Sequence, residues 1–328
     1  MDSSVGKEDR RTDHPEHMNE LKRDGANRVI SVLGSINMDL VTEVPHLPKP
    51  GETVLGRRFD RYPGGKGANQ AVAAARLGAQ VAFYGKIGTD PFAEEILNSL
   101  AENGIDVSAV EREEGQSTGI ASIWVSEDAE NVIAYTPGAN AYVDLAYIDR
   151  ILPTIASSDV LLLQLEIPLA TIDHLLRRLP PTQPQVILDP APAQDLSSVF
   201  LERVDVLTPN KGELFALAGE HDLEAAAHKL LELGVRHVVC KAGEDGAYLF
   251  KHDGMRQFAA FGVAPIDTTA AGDAFNGALG WALDDFSLPD AIRWANAVGA
   301  LATTTRGAQP SLPTLAEVEK FKLTSEKR

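Results

Sequence analysis

The alternation of apolar strands with helical stretches predicts an α/β fold: a mostly parallel central sheet, helices on both faces, and a small second β-sheet over its ligand edge. Three observations carry this. Continuous apolar runs of strand length recur between segments of helical period, as parallel strands buried on both faces require. Several of these runs end in a glycine or a polar residue, at the carboxyl edge where open α/β sheets bind ligands. Two stretches, about 37–63 and 117–137, carry β patterns without helices and would together form one discontinuous β lid.

In chain order, the apolar strand 28–34 ends at Gly34. Segments 40–44 and 53–59, divided by Pro45, Pro48 and Pro50, suit exposed antiparallel strands. A glycine-rich turn leads into the Ala-rich helix 70–77, stopped at Gly78. Strand 81–85 and helix 91–103, ended by Gly104, come next, and 118–135 forms a hairpin over 127–131. Strand 160–165, helix 169–179, strands 186–188 and 204–208, helices 212–218 and 223–233 and strand 237–241 continue the alternation. Strands 246–250 and 256–261 pair, and helices 273–284 and 289–303 complete it. The first 27 residues carry mixed charge and few large apolar side chains, which predicts a disordered tail ahead of one domain over 28–328.

Composition narrows the partners. A chain of 328 residues with 44% hydrophobic and 23% charged residues can bury a large core. A net charge of −17 argues against nucleic acid or an anionic membrane as partner, because those surfaces attract clustered Lys and Arg. No apolar run approaches the roughly 18 residues of a membrane span. There is no secretory apolar region, and the acidic residues near the start are unlike an organelle transit peptide, so a cytoplasmic location is expected. The one cysteine, Cys240, lies inside an apolar run, as a small buried strand residue would.

The chemistry concentrates in loops that follow strands. Asp267-Thr-Thr-Ala-Ala-Gly-Asp273 runs into helical spacing, so Asp273 falls in the first helical turn. The N–H groups of Ala270, Ala271 and Gly272 lack intrahelical partners there, and small side chains let an anion approach them. Asp273 could take a proton from an attacking hydroxyl, or could be a capping carboxylate with no chemistry. Gly64-Gly-Lys66-Gly-Ala-Asn69 lacks the spacing of a P-loop; it is either a plain turn or a backbone pressed against a ligand, with Lys66 and Asn69 as donors. Asn37 and Asp39 share one strand face and offer what a polyol needs, and Glu166 adds a carboxylate after strand 160–165. Asn210 and Glu213 have capping-box spacing, and Glu213 could instead hold waters of a Mg²⁺ ion. Lys241-Ala-Gly-Glu-Asp-Gly246 is a further glycine-bearing turn after a strand, either an ordinary turn or a backbone cradle for a nucleotide's phosphates.

Taken together, residues 63–78 and 267–278, with supporting stretches at 34–39, 164–166, 208–213 and 306–311, resemble the PfkB carbohydrate kinases, the ribokinase family. The resemblance covers about 28–320. It implies a ribokinase-like three-layer fold and transfer of the ATP γ-phosphoryl group to the 5-hydroxyl of D-ribose. Asp273 would be the base, and Ala270, Ala271 and Gly272 the anion hole. The sugar would lie against Asn37, Met38, Asp39, Gly65, Lys66, Gly67, Ala68, Asn69 and Glu166. The nucleotide would lie against Asn210, Lys241, Ala242, Gly243, Glu244, Asp245, Gly246, Gly272 and Asn296. Glu213 would act through water on Mg²⁺, and K⁺ would sit against Asp267, Thr269, Ala302, Thr305, Gly307 and Ser311. A homodimer through the β lid is implied as well. Lys241 stands where many relatives carry Thr, and Asn296 where some carry His.

Overall fold

The computed structural model describes residues 12–13, 28–128, 130–197, 199–283 and 285–325. The strands are β1 (Thr12–Asp13), β2 (Val29–Leu33), β3 (Asn37–Val44), β4 (Arg58–Gly64), β5 (Gln80–Tyr84), β6 (Lys86–Ile87), β7 (Glu111–Arg112), β8 (Gly119–Ser126), β9 (Asn131–Thr136), β10 (Val160–Leu163), β11 (Gln185–Leu188), β12 (Val206–Leu207), β13 (His237–Lys241), β14 (Ala247–Lys251) and β15 (Gly254–Phe258). The helices are α1 (Lys66–Arg76), α2 (Pro91–Glu102), α3 (Leu145–Ala156), α4 (Leu169–Arg178), α5 (Lys211–Ala218), α6 (Leu223–Glu232), α7 (Ala271–Ala282), α8 (Leu288–Ala302), α9 (Ala308–Ser311) and α10 (Leu315–Ser325).

The large sheet has the order β1-β15-β14-β13-β12-β11-β10-β2-β5. Its pairs are parallel except at β13–β14 and β14–β15. The continuous apolar runs now have a reason. In β10, Val160 and Leu162 face a core shared with α1, α2, α7, α8 and α10, while Leu161 and Leu163 face a second core under α3 to α6. With a period of two and helices on both sides, consecutive residues of such a strand are buried and mostly apolar. Each such Leu or Val contributes about 1.5–3 kcal/mol by leaving water.

A four-stranded sheet, β4-β3-β8-β9, stands beside it, built from two distant parts of the chain. Parallel pairing of β3 with β8 sets Asn37 opposite Gly119, and antiparallel β4 sets Asn37 opposite Gly64. A Cβ on Gly119 would fall on the Asn37 side-chain oxygen, so the glycine makes room for that side chain.

Several local expectations need correction. The strand expected over 53–59 lies at Arg58–Gly64, where pairing with β3 outweighs the local pattern. The helix expected from residue 70 begins at Lys66, because Gly65, at φ 92°, turns the chain directly into it. Helices α3, α9 and α10 are additions. Pro153 lies inside α3 and masks it in the sequence, although Asp144 caps its first turn. Of the first 27 residues only Thr12–Asp13 are described, paired parallel with β15; the expectation of disorder otherwise lies outside the described residues.

Candidate active site

Five polar segments meet at the carboxyl ends of adjacent parallel strands. Ser35 and Asn37 follow β2, Gln164 and Glu166 follow β10, Asp189 follows β11, Asn210 follows β12, and Lys241 ends β13. Two helices point their N-termini at the same place. They cross closely: a Cβ on Gly277 of α7 would come within 2.6 Å of the Ala73 Cβ and the Gln70 carbonyl of α1.

Asp273 is 6% exposed, in the first turn of α7. Its carboxylate accepts hydrogen bonds from Asn69 Nδ2 at 3.0 Å and Gln70 Nε2 at 3.1 Å. Burial pushes its pKa up to about 6, with Lys66 opposing and Asp189 adding. The helix starts at Ala270 in the left-handed region, φ 59°, the one non-glycine residue with positive φ among the described residues. Ala270, Ala271 and Gly272 all line a cavity of about 670 Å³, as do Asn210, Glu213, Lys241, Gly243, Glu244, Gly246, Asn296 and Asp273 itself. The Ala271 N–H is turned towards the Thr268 carbonyl, at 3.2 Å, so of the predicted anion-hole donors it is the one already engaged. Ala242 and Asp245 do not line the cavity, and Asp245 pairs with Lys211 at 2.5 Å on the exposed side.

On the other side of Asp273, Glu166 Oε2 accepts from Ser35 Oγ at 2.5 Å, Asn37 Nδ2 at 3.4 Å and the Lys66 N–H at 3.3 Å. Asn37 Oδ1 in turn accepts from Asn140 Nδ2 at 2.8 Å. Asp39 lies against Gly64 so closely that a Cβ there would fall on its carboxylate. Burial, then Glu166 and Asp273, push the Asp39 pKa up to about 7 against the pull of Lys66. Burial alone would lower the Lys66 pKa; the charges of Asp273, Asp189, Glu166 and Glu213 outweigh it and hold the ammonium protonated. A cation set among several acids offers both donors and acceptors, the combination that suits hydroxyl groups. Met38 and Ala68 bury their side chains fully in the core, leaving only their backbones to meet a ligand. Gly65 and Gly67 are pressed against the backbone of 34–37, with Gly67 N donating to Ser35 Oγ at 3.4 Å.

Of the two readings of Glu213, the capping box is observed, and it leaves the side chain at the cavity. Asn210 Oδ1 accepts from Glu213 N and Glu213 Oε2 accepts from Asn210 N, both at 2.8 Å, completing a capping box, while the side chain lines the cavity. Its pKa is raised, chiefly by burial, as suits a carboxylate that a hydrated Mg²⁺ would relieve. In the loop proposed for K⁺, Asp267 accepts from Thr269 N at 2.9 Å and Gly307 N at 2.8 Å, which draws two loops together. Ala302 O accepts from Thr305 N at 3.3 Å, and Ser311 Oγ donates to Ala308 O at 2.8 Å. No group of three or more His, Cys, Asp or Glu arranged to hold a metal ion stands among the described residues; the donors in this loop are carbonyls, hydroxyls and one carboxylate. Such oxygen ligands fit a hard cation.

Ser35, Gln70, Asn140, Gln164 and Asp189 join the site beyond the residues that the sequence marks. Asp189 carried a signal, since it follows strand 185–188 just as Glu166 follows its own strand. Gln70 adjoins Asn69 in the same motif. Nothing local marks Asn140, whose role comes from the pairing of distant chain segments.

Fold and site together have the form of a kinase's: a buried carboxylate in the first turn of a helix, a cavity of about 670 Å³ on one side and a cluster of carboxylates, amides and an ammonium on the other. The model of the pfkB family of carbohydrate kinases matches residues 27–315, and the chain belongs to that family. A ribokinase of Haemophilus influenzae is 40% identical over 300 residues, covering 90% of this chain and 98% of that one. Among solved structures, a ribokinase of Thermotoga maritima is 40% identical with a TM-score of 0.84, covering 90% of this chain and 99% of that chain. A ribokinase of Arabidopsis thaliana, complexed with ribose and ATP, is 30% identical with a TM-score of 0.85 and the same coverage. The chain is an ATP-dependent sugar kinase of this family.

Proposed function

We propose that this protein transfers the γ-phosphoryl group of ATP to the 5-hydroxyl of D-ribose, giving D-ribose 5-phosphate and ADP. The observation that carries the reading is the Asp273 carboxylate, buried and held by two side-chain amides between the acid-lined pocket and the 670 Å³ cavity. Asn37, Asp39, Lys66 and Glu166 hold the sugar hydroxyls. Asp273 accepts the proton of the 5-hydroxyl as its oxygen attacks the γ-phosphorus, and the bond from phosphorus to the bridging oxygen of ADP breaks. The amides at the start of α7 and the Lys66 ammonium face the charge on the moving group. Positioning and fixed dipoles provide most of the acceleration in such transfers.

Glu213 would hold Mg²⁺ through water, and the ion when bound neutralises phosphate charge. The Asp267, Thr269, Ala302, Thr305, Gly307 and Ser311 set would hold K⁺, keeping the loop before α7 in its strained turn. The small sheet serves as a lid and as the seat of a homodimer. All six residues of β9 are exposed, and Leu55, Phe59, Val132 and Ile133 offer apolar surface there, 87, 60, 48 and 56% exposed. The enzyme works in the cytoplasm, where ATP is supplied; none of the described helices is long and apolar enough to cross a membrane.

Purified protein assayed for ADP release with ribose, 2-deoxyribose, adenosine and fructose, with and without K⁺, tests this. Ribose giving the highest kcat/KM, a product carrying phosphate on C5, and loss of turnover when K⁺ is replaced by a large organic cation are expected. A higher kcat/KM with any other acceptor overturns the substrate assignment.

A further inference from the structure

Lys241, Asp189 and Gln70 join the phosphate cavity to Asp273 by consecutive contacts. Lys241 Nζ donates to Asp189 Oδ1 at 2.8 Å, and Asp189 Oδ2 accepts from Gln70 Nε2 at 3.0 Å. The same Nε2 donates to Asp273 Oδ1 at 3.1 Å. Gln164 Nε2 donates to Gln70 Oε1 at 2.8 Å, which turns the nitrogen of that amide towards both carboxylates. Asp189, Gln70 and Gln164 are all at most 2% exposed. Lys241 and Asp189 line the cavity, and the ammonium lies 3.5 Å from where a Cβ on Gly272 would stand, against the anion-hole backbone. A buried ion pair adds little net stability over an apolar pair of the same size, so stability alone does not account for it.

We propose that Asp189 is a positioning residue that couples filling of the phosphate cavity to the base. Lys241 takes the phosphate charge, and Asp189, through Gln70, holds the Asp273 carboxylate towards the sugar hydroxyl and sets how tightly it keeps a proton. The idea rests on the kinase reading of Asp273. Other charges facing Asp273 are Lys66 from α1 and Asp39 from β3, with Glu166 and Glu213 reaching it through Lys66. Those stay in place when the pair is altered.

Two variants with opposite charge effects test the coupling. Asp189→Asn removes a negative charge near Asp273, and Lys241→Met leaves that negative charge uncompensated. In the pH profile of kcat/KM for the sugar, the acid limb moves down by about half to one unit in Asp189→Asn and up by a similar amount in Lys241→Met. A merely structural role would move neither limb. Lys241→Met also weakens ATP binding about ten- to a hundredfold by calorimetry, the worth of a charge-assisted hydrogen bond. Limbs that stay fixed, or that move the same way in both variants, overturn the proposal. Should Asp189→Asn fail to fold in thermal denaturation, the Lys241→Met limb decides alone. The wild-type sugar panel keeps the two readings apart: if another sugar is the substrate, the profiles are taken on that sugar. If none is turned over, the kinase reading falls, and unchanged ATP affinity in Lys241→Met then overturns this one.

Discussion

The loops before α1 and before α7 both deliver a helix N-terminus to Asp273, yet the first is buried and the second lies half open to solvent. At the start of α1, Gly64 and Gly65 before the helix and Gly67 in its first turn are each pressed against other parts of the chain, and shape is fixed by close approach. Before α7, residues 267–270 are exposed or half-buried; Ala270 holds a left-handed turn, and the Asp267 carboxylate ties Thr269 to Gly307. One loop is rigid because it is packed. The other keeps its shape through a few hydrogen bonds and backbone strain, as a segment that must receive a phosphate can. The difference predicts where substitutions act on stability and where they act on turnover.

The largest effect belongs to the residue both loops serve. Asp273→Ala lowers kcat by about a thousandfold or more, since general-base catalysis and orientation are both lost, while ribose still binds by calorimetry. Lost ribose affinity with kcat retained would refute the base assignment. If Asp273 is the base it must be deprotonated to act, and its pKa is raised to about 6, so kcat/KM is expected to fall tenfold per unit below that pH.

Gly67→Ala tests the packed loop. A Cβ there would come within 2.7 Å of Ser35 N and 2.8 Å of the Gly34 backbone, neither of which can move without shifting β2. A loss of about 1–3 kcal/mol in urea denaturation and a higher KM for ribose are expected. Unchanged stability would mean that this loop, too, is adaptable.

Asp39→Asn sharpens the contrast through pH. The folded pKa of Asp39 is raised to about 7 from 3.8, so its stabilising contribution is complete below the unfolded value and is lost as pH rises through the folded one. Removing the charge therefore stabilises the protein at pH 8, by about 1–2 kcal/mol given its partial exposure to water, and does nothing near pH 4. Sugar affinity falls at the same time. Denaturation of both proteins at the two pH values is the measurement.

How much of this was legible in the sequence follows the same division. The loop before α7 was readable because its chemistry is local: small residues, one acid and a helical period beyond. The strand ends were readable for the same reason, at Asn37, Glu166 and Asn210. Asn140 and Gln164 were not, because their roles arise from residues 103 and 94 positions away, at Asn37 and Gln70. The strand at 58–64 lies off the local sequence pattern because an edge strand takes its register from its partner. Helix α3 was hidden by Pro153, a local rule overridden by the apolar face that Tyr147, Ile148, Ile151 and Ile155 bury.

The smallest effect is expected at Ala270. In the left-handed region an alanine costs about 1 kcal/mol relative to glycine, but glycine gives the unfolded chain more freedom, by nearly the same amount. Ala270→Gly should thus change stability by less than about 1 kcal/mol, because the two terms oppose each other. Turnover is the more telling readout. If Asp267 and its hydrogen bonds to Thr269 and Gly307 hold the turn, kcat changes less than about threefold. If the Cβ of Ala270 itself braces the anion hole, kcat falls tenfold or more at unchanged stability, and the open loop would have to be grouped with the packed one.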